Sequence, residues 1–352
     1  MPGPFAIAGR IVAADQPPLI IAELSGNHNG QLERALALID AAADAGADAV
    51  KLQTYTADTI TIDFDGPGFR LETGLWAGRT LHELYSQAFT PFEWHEALFE
   101  RARQRGLICF SSPFDETAVA LLESLDAPAF KIASFEAVDL PLIARAARSG
   151  KPLIISTGMT SREEIAAAVE TALTAGAGGV ALLHCVSDYP ARFEDANLAM
   201  VARLGQDFGC VVGLSDHTPG TATAVAAVAL GARIIEKHVT LARADGGPDA
   251  AFSLEPEELS ALARDCRNAF QAVGAAQYQR SESETRNRQF RRSLYVVQDV
   301  AAGQILSDKN VRSIRPGFGL EPSKLPDILG RRATRALTRG EPLAWDMVTP
   351  TI

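Results

Sequence analysis

Three of the six lysines in this chain stand inside apolar, strand-length runs. An ammonium group is costly there unless an anion meets it. Lys51 lies in AVKLQTY (49–55), Lys131 in AFKIAS (129–134) and Lys237 in RIIEKHV (233–239). Ser112, Ser134, Ser156 and Ser215 end neighbouring runs. Lys51 and Lys131 with these hydroxyls would form a socket for a doubly charged anion such as a phosphate or carboxylate. The competing account gives each lysine an ion pair in the wall of the fold. Lys237 has the opposite strand parity to Glu236 and His238, so a structural ion pair is expected for it.

His217 and His238 end successive runs, and neutral imidazoles on neighbouring strands suit a divalent first-row metal. Two histidines do not make a closed structural site, which takes four ligands. They fit an open site completed by water, substrate or a carboxylate, or else a hydrogen-bonded pair without metal. Glu23 ends the first run. Among the lysines it would stay ionised and act as a general base or orient a water, or simply balance Lys51 or Lys131. His184, inside a strand, reads as a buried, hydrogen-bonded residue. His82 and His95 are given no role.

The elements that must hold these groups form a repeat. Eight β-rich runs occur at 19–25, 49–55, 107–113, 129–134, 152–158, 180–186, 211–217 and 233–239. They are nearly continuous in hydrophobicity, as parallel strands covered on both faces must be. Helical patterns lie between them at 32–46, 91–106, 115–125, 140–150, 161–176 and 221–231, several ending in Gly. Eight such units predict an α/β fold, a (β/α)8 TIM barrel, with its site at the C-terminal ends of the strands. No GxGxxG follows the first run, which argues against a doubly wound sheet. Residues 56–90 exceed a plain loop and are expected to form a lid or rim element. The barrel is assigned to 1–274, a polar linker to 275–290, and a small β-rich domain to 291–352. There RRSLYVVQDVAAGQIL (291–306) alternates like two strands around a turn.

Composition sets the outer limits. The 352 residues carry 33 basic and 43 acidic side chains, a net charge of −10, and 47% are hydrophobic. That is ordinary globular composition, and the acidic balance argues against a nucleic-acid partner. Four cysteines without a CxxC read as buried thiols in a reducing compartment. No basic start precedes an apolar core at the N-terminus, and no apolar run reaches the roughly 18 residues of a membrane span. A cytoplasmic protein without a membrane partner is expected.

Several stretches resemble the sialic acid synthase family, and within it the pseudaminate type. They include IIAELSGNHNG (20–30), KLQTYTADTIT (51–61), SSPFD (111–115), FKIASFE (130–136), STGM (156–159) and LLHCVSDYP (182–190). GLSDHTPG (213–220), IEKHVTL (235–241), GGPDAAFSLEP (246–256), RRSLYV (291–296) and SIRPGFGL (313–320) continue the series. The last domain resembles the SAF, or antifreeze-like, module of that family. The resemblance implies condensation of phosphoenolpyruvate with the open aldehyde form of an N-acetylated amino sugar. A nine-carbon 2-keto acid forms, and phosphate leaves by C–O cleavage. It implies Glu23 as the catalytic carboxylate and His217 and His238 as metal ligands, for manganese or magnesium, with cobalt a further candidate. Lys51, Ser112, Lys131, Ser134, Ser156 and Ser215 would bind phosphoenolpyruvate. Ser187 stands at another of its anchors, where neuraminate synthases commonly carry Asn. Gln53, Glu136, Tyr189 and Asp249 would lie near the sugar. Arg315 would reach the site of a second subunit in a domain-swapped homodimer. The implied acceptor is 2,4-diacetamido-2,4,6-trideoxy-L-altrose, ahead of N-acetylmannosamine and the legionaminate precursor. A Schiff-base aldolase using Lys131 is the alternative enzyme class. A non-enzymatic ice-binding reading conflicts with the arginine-rich RRSLYV and LGRRATRALTRG.

Overall fold

The computed structural model describes residues 3–278 and 281–350. The chain divides into two compact units, Met1–Gly274 and Ala275–Ile352. In the first, an N-terminal hairpin, β1 (Phe5–Ile7) and β2 (Arg10–Val12), precedes eight strands. These are β3 (Leu19–Glu23), β4 (Ala49–Thr54), β5 (Ile108–Pro113), β6 (Phe130–Ile132), β7 (Leu153–Ser156), β8 (Val180–Cys185), β9 (Val211–Asp216) and β10 (Ile234–His238). They close into a parallel barrel in chain order, β10 pairing with β3. Each falls within one of the eight expected runs.

Strand parity sorts the side chains. Ile20, Ala22, Val50, Phe130, Leu153, Leu182 and Ile235 face outward and pack with the helices in the large core. Leu19, Ile21, Ala49, Phe110, Ile154, Leu183 and Ile234 fill the lower lumen. Phe5, Ile7 and Val12 of the hairpin join this second cluster, so the bottom of the barrel is packed. Each fully buried Leu, Ile, Val or Phe among them contributes roughly 1.5–3 kcal/mol. Polar residues of the same inward parity follow above them. Gly213 lies in the lumen because nothing larger fits. A Cβ there would stand 2.3 Å from Ile234 O and 2.5 Å from Leu183 Cδ2.

The barrel helices are α1 (Leu32–Asp44), α4 (His95–Gln104), α5 (Glu116–Ser124), α6 (Leu140–Ala147), α7 (Arg162–Thr174), α8 (Ala199–Phe208), α9 (Ala222–Ala229) and α10 (Pro256–Val273). Their starts show in the side chains. Asp115 accepts from Thr117 N and Ala118 N, and Ser161 with Glu164 forms a capping box. Two helices, α8 and α10, lie outside the six expected stretches. Gly205 within α8 weakens its helical pattern, and the N-cap, Leu198, offers no side-chain acceptor. The buried stripe of α10 (Leu259, Leu262, Ala263, Cys266) is diluted by charged residues. The 56–90 excursion carries α2 (Ala57–Ile60) and α3 (Leu81–Ala88), with an antiparallel bridge between Arg70 and Thr80.

In the second unit the expected hairpin within 291–306 does not form. Strand β11 (Ser293–Val296) pairs instead with β12 (Val311–Ile314). Residues 297–310 loop out, ending in a turn where Asn310 Oδ1 accepts from Ser307 N. Leu294, Val296, Leu306, Val311, Ile328 and Leu337 form this unit's own core. The stretch 275–290 is not uniformly extended, since α11 (Glu282–Asn287) lies within it. A last turn, α12, spans Leu325–Ile328.

Candidate active site

The upper lumen gathers the polar residues that the strand ends supply. Glu23 on β3 is paired across the register with Lys51 on β4 and with His238 on β10. Its carboxylate lies 2.8 Å from Lys51 Nζ and accepts from Gln53 Nε2 at 2.8 Å. Lys51 also donates to Ser112 Oγ (3.1 Å) and lies 3.5 Å from Glu236 Oε1. Ser215 donates to that same Glu236 oxygen at 3.1 Å. All of these except Gln53 are buried. Lys51 therefore forms the wall ion pair considered above, shared between two carboxylates.

Lys131 does not. Its Nζ donates to Ser156 Oγ at 2.7 Å and to Ile132 O at 3.1 Å. No carboxylate oxygen lies within 4.0 Å of it among the described residues. Burial pulls its pKa down, and Glu236 only partly offsets this. Ser134 and Ser187 stand nearby around Gly158, whose N–H donates to Ser134 Oγ at 3.1 Å. A Cβ on Gly158 would come within 2.4 Å of Ser187 Oγ and 2.8 Å of Ser134 Oγ. The glycine keeps a small space open between these two hydroxyls.

The two carboxylates around Lys51 differ. Burial dominates at Glu23 and pushes its pKa up against the pull of Lys51. At Glu236 burial is outweighed by Lys131 and Lys51, which hold it below the ordinary value. Glu136, at the turn after β6, is pushed up to about 7, mainly by burial.

His217 and His238 face each other with ring centroids 5.3 Å apart. His217 Nδ1 lies 2.9 Å from Val186 O. A carbonyl only accepts, so Nδ1 carries a proton, and Nε2 is the nitrogen that can meet a cation when the ring is neutral. Burial pulls the His217 pKa down, but Cys185 and the Val186 carbonyl outweigh it and raise it. His238 Nδ1 is buried without a hydrogen-bond partner, 3.8 Å from Asp249 Oδ2. Burial, then the charges of His217, Lys51, Lys237 and Lys131, hold His238 neutral. Glu236 Oε2 is likewise buried and unpartnered. Two available imidazoles near carboxylate oxygens fit a divalent cation as an open site. No group of three or more His, Cys, Asp or Glu converges to ligand distance among the described residues. Protein alone would thus supply a partial ligand set.

Tyr189 closes the rim, its ring 4.4 Å from that of His217 and 5.3 Å from that of Phe252. Three residues given no site role belong here. Glu236 shares the inward parity of His238, a signal present in the alternation of β10. Cys185 ends β8 with its sulfur 3.9 Å from His217 Nδ1. Phe252 lies beyond the last strand, 4.9 Å from His238 between ring centroids, where no periodicity marks it. Other strand-end groups face the helices. Lys237 pairs with Asp216 at 2.8 Å, His184 Nε2 bonds Ala196 O at 2.8 Å, and Ser111 bonds Thr54. His95 is buried between Thr54 and Pro91 O, and His82 lies near Asp58. Arg315 is exposed in the second unit. The barrel unit thus assembles every candidate residue except Arg315.

An eight-stranded parallel barrel, packed below and charged at its upper mouth, has the layout of a (β/α)8-barrel enzyme. Residues 38–278 match the NeuB family and residues 291–349 match the SAF domain. The chain is 44% identical to a pseudaminic acid synthase of Campylobacter jejuni, over 94% of this chain and 96% of that protein. It is 42% identical to that of Helicobacter pylori, over 94% and 98%. A crystal structure of N-acetylneuraminic acid synthetase from Leptospira borgpetersenii in complex with citrate superposes with a TM-score of 0.72. It shows 32% identity and covers 82% of this chain and 95% of that one. The chain belongs to the NeuB family.

Proposed function

We propose that this chain is a pseudaminic acid synthase, a transferase that condenses phosphoenolpyruvate with 2,4-diacetamido-2,4,6-trideoxy-L-altrose. The products are the nine-carbon 2-keto sugar acid and phosphate. The observation that carries this reading is Lys131, a buried lumenal ammonium with hydroxyl partners and no carboxylate in contact. A buried cation of this kind awaits an anion. Lys131 with Ser134, Ser156 and Ser187 would hold one end of phosphoenolpyruvate, and Lys51 with Ser112 and Ser215 the other. Fixing the enol in this way sets C3 against the sugar aldehyde and converts a bimolecular encounter into an oriented one. Glu23, braced by Gln53 and raised by burial, would orient the attacking water and take its proton. Glu136, Tyr189 and Asp249 would contact the sugar. His217 and His238 would hold a divalent cation, manganese or magnesium, which when bound supplies Lewis-acid polarisation of the sugar carbonyl. Arg315 would serve the site of the other subunit in a homodimer.

The test is phosphate release with mass spectrometry of the product, adding one amino sugar at a time to chelator-stripped protein with phosphoenolpyruvate and manganese. Product from the trideoxy-altrose alone, abolished by EDTA, is the expected result. Product from N-acetylmannosamine or the legionaminate precursor instead would keep the mechanism and replace the acceptor. A Schiff-base aldolase is the second reading, favoured by the burial that lowers the Lys131 pKa. Borohydride trapping of pyruvate on Lys131 would support it and overturn the first.

A further inference from the structure

The connection that leaves β4 crosses the mouth of the barrel. In the ring β10-β3-β4-β5-β6-β7-β8-β9, strand β4 stands directly opposite β8. Trp76 lies on the connection after β4. Its ring is nevertheless 5.6 Å from that of Tyr189, on the loop after β8. Its Nε1–H donates to Pro248 O at 2.8 Å, on the loop after β10. The connection thus places one indole against two other sides of the rim.

The surface it completes differs from the deep site. Below lie Glu23, Lys51, Lys131 and Glu236, all ionic. At the rim, Trp76 meets Tyr189, and Tyr189 meets both Phe252 and His217. The indole N–H is already taken by a backbone carbonyl, so Trp76 offers carbon surface and no free donor. A ligand spanning the site meets charge at its inner end and aromatic carbon at its outer end.

We propose that Trp76 selects the acceptor sugar, which rests on the function proposed above. The phosphoenol needs the ionic depth. The end of the acceptor away from its reacting carbon then meets the aromatic rim. Deoxy and acetamido methyl groups lose nothing against an indole face, whereas a hydroxyl there gives up water without a partner. Trp76 is a specificity residue and takes no part in bond making.

The experiment compares wild type with Trp76→Ala and Trp76→Phe, measuring KM for phosphoenolpyruvate, the trideoxy-altrose and N-acetylmannosamine. Trp76→Ala is expected to raise the trideoxy-altrose KM about 10-fold and to cut its preference over N-acetylmannosamine by a similar factor, the range for apolar contacts in a pocket. The KM for phosphoenolpyruvate should stay within about twofold, and Trp76→Phe should keep most of the preference. An equal loss for both sugars, or a parallel rise in the phosphoenolpyruvate KM, would show a mere loop latch and overturn the proposal. Tryptophan emission provides a readout without turnover, since Trp94 and Trp345 remain in Trp76→Phe. A saturable change with the trideoxy sugar in wild type, absent in Trp76→Phe, is expected; the same change in both proteins would count against Trp76. Failure of wild type to condense any sugar would defeat the proposed function, while the emission comparison would still judge Trp76.

Discussion

At the scale of single residues, the site separates two lysines that look alike in sequence. Lys51 already meets Glu23 and Glu236 and would share its charge with the substrate, while Lys131 has only hydroxyl and carbonyl partners. Replacing Lys131 with Met should therefore raise the KM for phosphoenolpyruvate with little loss of fold, measured by phosphate release and thermal melting. Glu23→Gln should lower kcat by roughly 10²- to 10⁴-fold, the usual reach of a general base, with both KM values nearly unchanged. Glu136 makes a pH prediction. Burial raises its carboxyl to about 7, above the ordinary 4.5. Between these values the unfolded chain binds fewer protons than the folded one, so stability falls as pH rises through this window. Glu136→Gln should flatten that fall and gain on the order of 1 kcal/mol at pH 8. Urea unfolding at pH 5 and pH 8 checks it, and identical slopes in both proteins would refute it.

At the scale of elements, strand alternation does most of the sorting. On β10, Glu236 and His238 face the lumen and Lys237 faces the helices, where it meets Asp216 of β9 at the same register. Asp216 also accepts from Thr218 N and from Thr223 Oγ1. Lys237→Met would strand that buried carboxylate and should cost about 3–5 kcal/mol, read from chemical denaturation. The alternation is legible in the sequence, because period-two parity is a property of the backbone. Gly213 is not. Its need for a bare Cα comes from Ile234 O and Leu183, residues distant in sequence that the barrel brings to where a Cβ would stand. Gly213→Ala should destabilise by about 1–3 kcal/mol through overpacking. A melting temperature unchanged from wild type would show that the lumen relaxes freely.

At the scale of the whole molecule, the proposed partners give the last prediction. Glu23→Gln and Arg315→Ala chains, each inactive alone, should regain about a quarter of wild-type activity when co-expressed, because half the dimers then carry one intact site. No recovery on co-expression would remove Arg315 from a partner's site. Among the described residues no helix is long and apolar enough to cross a membrane.

The sequence by itself determined the eight-unit barrel, the inward set of lysines, serines, histidines and Glu23, and the change of character after Gly274. These follow from local periodicity and from the cost of placing charge in apolar runs. Tertiary structure alone decided which lysine is free, that Glu236 shares Lys51 with Glu23, and that β11 pairs with 311–314. It also decided that Trp76, Tyr189 and Phe252 form one rim. Each of these depends on which distant segments meet when the barrel closes, and no local pattern of residue types carries that information.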